Sequence, residues 1–183
     1  YVAPNKPINN WQSKVALLRS QAGVTGAAPF ISVNGMAQYK SELKAVEVRG
    51  VSPEFENQVS ALNQFTEGRL VSQLQQEDVL LGQQIVNRLG LKIGDPVTLL
   101  IPQINQQSNT LLAPKRVSLN LAGIIKMGGP IDKTAAFIRL DKAQSVLSFD
   151  ENQVTGLRLQ VADVFAAHQT AMRVGQVIPD YVY

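Results

Sequence analysis

The sequence contains no cysteine and only one histidine, His168. Without cysteine the chain has no disulfide, no thiol catalysis and no thiolate zinc site, although this does not fix its compartment. A single histidine excludes a metal site with two histidine ligands, and we expect His168 to be an ordinary helix-surface residue. The sequence also lacks a P-loop, a dinucleotide fingerprint and a nucleophile elbow. We therefore predict no catalytic, cofactor-binding or metal-binding residue and favour a binding or mechanical role.

Long apolar runs and dense charge are missing too. No run of about 18 apolar residues occurs, so we do not expect this chain to span a membrane. The 17 basic residues exceed the acidic ones by only three and are scattered, which argues against nucleic-acid binding. The chain starts at Tyr1 without a methionine and stops at Tyr183 inside a strand-like stretch. We infer that it is an excised piece of a longer protein.

What remains is a folded chain of 183 residues, 45% of them hydrophobic. Its centre is the stretch 95–127, which predicts a strand over residues 96–101 and a second strand over 116–125. Between them we predict a polar loop over residues 102–114 with a proline at each end. Hairpin loops usually have about two to five residues, and longer ones are usually functional or disordered.

The flanking segments predict helices and further strands. Asn9 or Asn10 begins a helix that ends near Gly23, with Trp11 as a core anchor. The Asn34-Gly35 dipeptide predicts a hairpin turn. Further strands are predicted over residues 43–51, 79–81, 135–140 and 154–161. A helix over residues 82–89 is predicted to end at Gly90, a second helix to start at Asp163, and a last strand to begin at Val177.

This order of elements predicts an α+β fold with two parts. Helix–strand–strand at the start and strand–helix–strand at the end favour an α/β subdomain formed by residues 1–55 and 153–183. Residues 56–152 then form an inserted β-rich subdomain that carries the 102–114 loop.

Several short motifs, in their order and spacing, resemble the MacB-like periplasmic core domain found in ABC-transporter membrane subunits, and most closely its LolC/LolE family. They are VRGVSP at 48–53, GRL at 68–70, VLLG at 79–82 and LKIGDPV at 91–97. Two further segments look more like LolE than LolC. They are 113–117 leading into 121–124, and VADVF at 161–165.

This resemblance implies a periplasmic domain of an inner-membrane subunit, anchored through segments outside this chain. The split subdomain would be the one called Porter and the inserted one Sabre. A LolC-like partner subunit and a separate LolD-like ATPase would complete the complex, which extracts lipoproteins and passes them to the carrier LolA. In LolC the long hairpin loop recruits LolA; in LolE the domain is associated more with lipoprotein and with LolC.

The 102–114 loop and the two residues after it supply the predicted partner-binding site. Its apolar residues suggest contact with a partner, although they could also fold back on the sheet. Two prolines would stiffen the loop base. Two basic residues would meet an acidic rim or simply remain solvated. The predicted site residues are Ile104, Leu111 and Leu112, then Pro102 and Pro114, then Lys115 and Arg116.

Two alternatives remain open at this stage. The first keeps the fold and makes the chain the periplasmic domain of a MacB-type efflux pump or an FtsX-like regulator that binds another periplasmic partner. The second is an enzyme of a class with no recognisable motif, which would require a deep polar pocket with converging carboxylates.

Overall fold

The computed structural model describes residues 7–105, 110–163, 165 and 167–177. Six helices and ten strands lie in this part of the chain. The strands are β1 (Ile8–Asn9), β2 (Val24–Tyr39), β3 (Glu42–Val51), β4 (Thr66–Gly68), β5 (Asp78–Gly82), β6 (Pro96–Asn105), β7 (Thr110–Ile125), β8 (Ala135–Arg139), β9 (Gln153–Val154) and β10 (Gly156–Val161). The helices are α1 (Trp11–Arg19), α2 (Pro53–Glu56), α3 (Gln83–Leu89), α4 (Pro130–Thr134), α5 (Leu140–Leu147) and α6 (Ala167–Val177).

Six strands close into a hydrogen-bonded ring in the order β2, β3, β8, β5, β7 and β6. The ring closes because β6 pairs with β2 through Met36–Leu100, Ala37–Leu99 and Gln38–Thr98. The β3–β8 and β5–β7 pairings are parallel and the other ring pairings are antiparallel. β10 extends the sheet from the free side of β2, and β4 extends it from β7. The α+β class predicted from the sequence is confirmed.

One face of these strands forms the main apolar core. Val48, Leu81 and Leu99 on this face are fully buried, and residues of α1, α3 and α5 pack into the same cluster. Helix α3 ends where the sequence predicts, because Gly90 adopts the left-handed conformation (φ 67°) that caps a helix without a Cβ clash.

A smaller second core lies on the opposite face of the sheet. Phe137 and Leu80 belong to it, because they alternate along their strands with residues that point into the main core. Two short 3₁₀ turns, Leu62–Phe65 and Val71–Gln73, contribute Leu62 and Val71 to this core. Residues 53–74 therefore act as a cover on this face of the sheet.

The hairpin turn predicted at Asn34-Gly35 is wrong. β2 continues through both residues, and the turn follows Tyr39, which pairs with Glu42. Gly35 serves a different purpose: a Cβ there would lie 2.7 Å from the carbonyl oxygen of Leu100 on β6. Glycine is required because the backbone of β6 approaches closely. A close backbone approach is, like a bulge or a bend, a common reason for glycine inside a strand.

Two segments far apart in the sequence meet beside α1. Ile8 pairs with Val154, which joins the N-terminal segment to β9. Trp11 is buried, and its indole Nε1 donates a hydrogen bond to the carbonyl oxygen of Glu151 at 2.9 Å, so its prediction as a core anchor is confirmed. The predicted last strand is not seen at Val177, which ends α6; residues 178–183 lie outside the described part. The division into two subdomains stays a prediction.

Candidate functional site

The candidate site lies on the long antiparallel hairpin formed by β6 and β7. Its ladder runs from Pro96–Asn120 to Asn105–Thr110. Along the lower part, alternate residues such as Leu99, Ile101 and Val117 are buried in the main core. Polar residues such as Ser118 occupy the other face. This alternation fixes the register, because a slip of one residue would expose the whole buried set.

The predicted long loop over residues 102–114 is wrong in the described part of the chain. Residues 102–105 continue β6, and residues 110–114 belong to β7. The segment that joins the strands is 106–109, which the structure does not describe. The predicted loop is therefore mostly a two-stranded ribbon, here called the hairpin end (residues 102–105 and 110–114).

The hairpin end extends away from the ring. β2 pairs with β6 only through Thr98, Leu99 and Leu100, so beyond Ile101 no described strand pairs with β6 except β7. In the hairpin end, the outer edges of both strands therefore have no described strand paired with them. This geometry suits a projecting contact element, because unpaired strand edges are available to another chain.

The two predicted prolines meet at an irregularity in the ribbon. The register shifts between Ile101, which pairs with Lys115, and Gln103, which pairs with Leu112. Pro102 therefore lies opposite the segment that contains Pro114. Neither proline has an N–H to donate, so the ladder is interrupted in both strands at the same place. The prolines mark the base of the hairpin end, as predicted, but they lie within strands.

Of the three apolar residues in the predicted site, only Leu112 has a side chain in the described part of the structure. Leu112 is 52% exposed, which is high for a leucine on a β-ribbon. The backbones of Ile104 and Leu111 pair with each other, while their side chains fall outside the described part. Pro102 and Pro114 are also exposed. Leu112 thus does not fold back on the sheet as part of a satellite core.

Lys115 and Arg116 hold the base of the hairpin end to its neighbours. The Lys115 ammonium donates a hydrogen bond to the carbonyl oxygen of Ser145 at 3.0 Å, in the last turn of α5, where a cation is favoured. Arg116 Nη2 donates to the side-chain oxygen of Gln38 on β2 at 2.9 Å. Both side chains remain exposed. Their predicted contact with an acidic rim stays a prediction.

An apolar patch beside the base of the hairpin end was not predicted from the sequence. Met36 lies opposite Leu100, and Leu100 lies opposite Arg116, so these side chains share one face of the sheet. Met36 is 39% exposed, and Leu43, which pairs with Gln38 two residues further along, is 46% exposed. The alternating pattern of β2 would predict an exposed Met36 only if the strand were continued through Asn34-Gly35.

An ion-pair cluster flanks this face on β3. Arg49 Nη2 donates to Glu47 Oε2 at 2.8 Å, and the Ser32 hydroxyl donates to Glu47 Oε1 at 2.7 Å. The hydrogen bond from Arg49 is the main reason that the pKa of the Glu47 carboxyl lies below its ordinary value. The Arg139 guanidinium lowers the pKa of the Asp141 carboxyl in the same way.

These two carboxyls make stability depend on pH. Their folded-state pKa values lie below the ordinary values of about 4.3 for Glu and 3.9 for Asp, so the stabilisation is complete above those values and is lost as the pH falls through the folded-state pKa. We expect the urea midpoint to fall as the pH drops below about 5 and expect Glu47→Gln to flatten that fall. An unchanged pH dependence in Glu47→Gln would contradict this assignment.

The described residues contain no cluster of histidine, aspartate and glutamate that could hold a metal ion. Within the same residues, no helix is long and apolar enough to cross a membrane.

Comparison with known proteins gives the family. The model of the MacB-like periplasmic core domain matches residues 2–177, so the chain belongs to the MacB-like periplasmic core domain family. That class of domain lies outside the membrane in membrane subunits of ABC transporters. The predicted resemblance to this family is confirmed.

Among full-length relatives, the chain is 30% identical over 185 residues to the lipoprotein-releasing system transmembrane protein LolE of Haemophilus influenzae. The match covers 99% of this chain and 44% of that protein. It is also 30% identical over 172 residues to LolC of Xylella fastidiosa, with 92% of this chain and 41% of that protein covered. The chain thus spans less than half the length of the curated relatives it matches, and the predicted likeness to LolC and LolE is confirmed.

Two solved structures share the fold. The extracellular domain of the ABC-type transporter YknZ from Gram-positive bacteria superposes with a TM-score of 0.65 at 11% identity, covering 98% of this chain and 91% of that one. The periplasmic region of MacB from Actinobacillus actinomycetemcomitans gives a TM-score of 0.58 at 10% identity, covering 95% and 74%. At these identities the likeness concerns the fold alone.

Proposed function

We propose that this chain is the periplasmic domain of an inner-membrane subunit of a lipoprotein-releasing ABC transporter. The proposal is supported by the 30% identity to LolE over nearly the whole chain. In this role the domain is non-catalytic, and ATP hydrolysis by a separate LolD-like subunit moves the membrane helices. The domain then acts mechanically, together with a LolC-like partner subunit, to pass lipoproteins to the carrier LolA.

Within that role, we propose that the hairpin end is the partner-contact element. The observation that carries this proposal is the exposed Leu112 on a ribbon with which no third strand of the described residues pairs. The exposed face with Met36 and Leu43 extends the same surface at the ribbon base. Exposed apolar groups on a preformed strand pair suit docking, because little ordering is needed when a partner binds.

The structure suggests how to remove the hairpin end without disturbing the ring. Ile101 and Lys115 are register partners, so residues 102–114 can be replaced by Asn-Gly, the dipeptide that favours a two-residue hairpin turn. Binding of the shortened domain to purified LolA is compared with that of the unaltered domain by calorimetry. Binding that disappears with the hairpin end supports recruitment of the carrier.

Absence of LolA binding would move the test to the assembled transporter carrying the same replacement. There we expect lipoprotein release from membrane vesicles to fall sharply, since the hairpin end would then contact lipoprotein or the partner subunit. Release at the unaltered rate, together with no LolA binding, would refute the role proposed for the hairpin end. An assembled transporter that handles no lipoprotein would refute the lipoprotein role itself and favour the efflux or FtsX-like alternative.

A point substitution tests the contact more finely. Leu112→Asp should weaken the partner contact about tenfold or more, because it places a charge where an apolar anchor is buried on binding. Leu17→Asp is the matched control, since Leu17 is 43% exposed on α1 and lies outside the hairpin. Calorimetric affinity and thermal unfolding are measured for both. Equal affinities in the two variants would contradict the role of Leu112.

A further inference from the structure

A second candidate site lies on the opposite side of the sheet from the main core. It is a cavity of about 180 Å³ between the strands that carry Arg49, Phe137 and Arg158 and the cover that includes Ser60 and Leu62. None of these residues belongs to the hairpin end. The cavity combines an apolar wall with two guanidinium groups, and ligand sites commonly pair an apolar lining with a few placed polar groups.

The apolar wall is fixed by the second core. Phe137 is fully buried and pairs with Arg49 in the β3–β8 register, and Leu62 is 3% exposed. Ile131 of α4 closes another side. The loop before α4 is held by Asp132, whose carboxylate accepts the backbone N–H groups of Met127 at 2.9 Å and Gly128 at 3.0 Å. The wall is therefore formed before any ligand enters.

The Arg49 guanidinium is positioned but not saturated. Among the described residues it donates a hydrogen bond only to Glu47, and its Cζ lies 5.8 Å from the centre of the Phe137 ring. A guanidinium has five N–H groups in a planar fork that fits a carboxylate. The second guanidinium, of Arg158, is bonded to the buried carboxylate of Glu56. Both cations are thus held at the cavity by carboxylates behind them.

Ser60 offers a hydrogen-bonding group that no other described residue uses. It is one of the residues that line this cavity, and its hydroxyl oxygen is buried with no hydrogen-bond partner among the described residues. The backbone N–H of Ser60 donates to the carbonyl oxygen of Glu56 at 3.0 Å, so the N–H is satisfied while the hydroxyl is not. Buried polar groups are rarely left unpaired because the loss of hydration is costly.

We propose that this cavity binds a small monocarboxylate that carries one apolar group. Its carboxylate lies at Arg49 and Ser60, and its apolar group packs against Leu62, Ile131 and Phe137. An apolar cavity of about 150 Å³ accommodates a benzene molecule, so a space of this size suits a chain of about six carbons. The pocket binds through directional donors rather than net charge, because Glu47 and Glu56 balance the two arginines. Binding in the millimolar range is therefore expected.

The test uses hexanoate and the whole chain, with amide chemical shifts followed by NMR. Hexanoate should bind with saturable shifts at Ser60 and Ile131. Hexanamide, which has the same chain without the charge, should bind about tenfold more weakly, as expected when a charge-assisted hydrogen bond is replaced by a neutral one. This comparison needs no variant and so does not depend on how a substitution affects folding.

Variants then assign the carboxylate to its donors. Arg49→Gln should weaken hexanoate about tenfold while leaving hexanamide almost unchanged. Arg88→Gln, at an exposed position of α3, is the matched control and should bind hexanoate normally. Ser60→Ala should reduce hexanoate affinity to a smaller degree.

Three results would overturn the proposal. They are the absence of saturable binding by hexanoate, equal affinity for hexanoate and hexanamide, and unaltered hexanoate affinity in both Arg49→Gln and Ser60→Ala.

Discussion

Glu56→Ala is expected to lower the free energy of unfolding by about 3–5 kcal/mol. The Glu56 side chain is 1% exposed, and its Oε1 accepts a hydrogen bond from Arg158, whose side chain is 12% exposed. Removing the carboxylate leaves a guanidinium deprived of its buried counter-charge. The cost comes from taking the directly bonded carboxylate away from a largely buried guanidinium, and it exceeds the modest net value of the pair.

The same helix offers the control for this measurement. Glu54 also lies in α2 but is exposed, so Glu54→Ala should change the free energy of unfolding by only about 0.5 kcal/mol. Urea unfolding at neutral pH compares the two variants with the unaltered chain. Similar small losses in both would show that the Glu56–Arg158 pair contributes little, and that the cover over the second core is held by its apolar contacts instead.

This ion pair also joins distant parts of the sequence. Glu56 follows β3, and Arg158 lies on β10 near the end of the chain. The proposed subdomain boundary near residue 55 therefore falls where a buried contact crosses between the two parts. Glu56 lies in one proposed subdomain and Arg158 in the other, so a movement that separates the two subdomains would have to break this pair. Nothing in the local sequence indicates the pair, because its members are 102 positions apart.

Elements with a strong local signal were predicted well from the sequence. Helix α3 follows from its apolar spacing and from Gly90, and both signals lie within a few residues. The strand cores around Val79 and Leu119 follow from buried or alternating apolar residues. The family followed from short motifs whose order along the chain matches that of known relatives. None of these inferences requires knowledge of a distant contact.

The two strands of the hairpin that carries the candidate site were predicted in position, but the form of its end was not. Pro102 and Pro114 are signals for a loop when each is considered alone. In the structure they face each other across the ribbon, so one irregularity accommodates both missing N–H groups. The hydrogen-bond partners of Lys115 and Arg116 could not be predicted from the sequence. Ser145 lies on α5 and Gln38 on β2, and only the fold places them nearby. These contacts depend on which strands and helices lie next to each other. The periodicity of a single strand carries no information about its neighbours.

Asn34-Gly35 was also misinterpreted because the pairing of β2 with β6 is not visible in the local sequence. The second large effect on stability is predicted at this dipeptide. Gly35→Ala should lower the free energy of unfolding by about 1–3 kcal/mol, because the new methyl group would meet the Leu100 carbonyl oxygen at 2.7 Å and the backbone there cannot move aside without opening β6 from β2. This pairing closes the ring at the base of the hairpin. We therefore also expect faster amide hydrogen exchange at Leu99 and Leu100, in the segment where β6 meets β2.

Asn34→Ala is the control that separates the two interpretations of the dipeptide. In a hairpin turn, Asn34 would adopt a positive φ, and alanine would be unfavourable at that position too. In the structure Asn34 lies within β2 with an exposed side chain opposite Glu47, so its replacement should cost little. A large loss for Gly35→Ala with a small loss for Asn34→Ala identifies the approach of β6 as the cause. Comparable losses of unfolding free energy in both variants would instead support a hairpin turn at Asn34-Gly35. In that case β2 and β6 would not pair to close the ring.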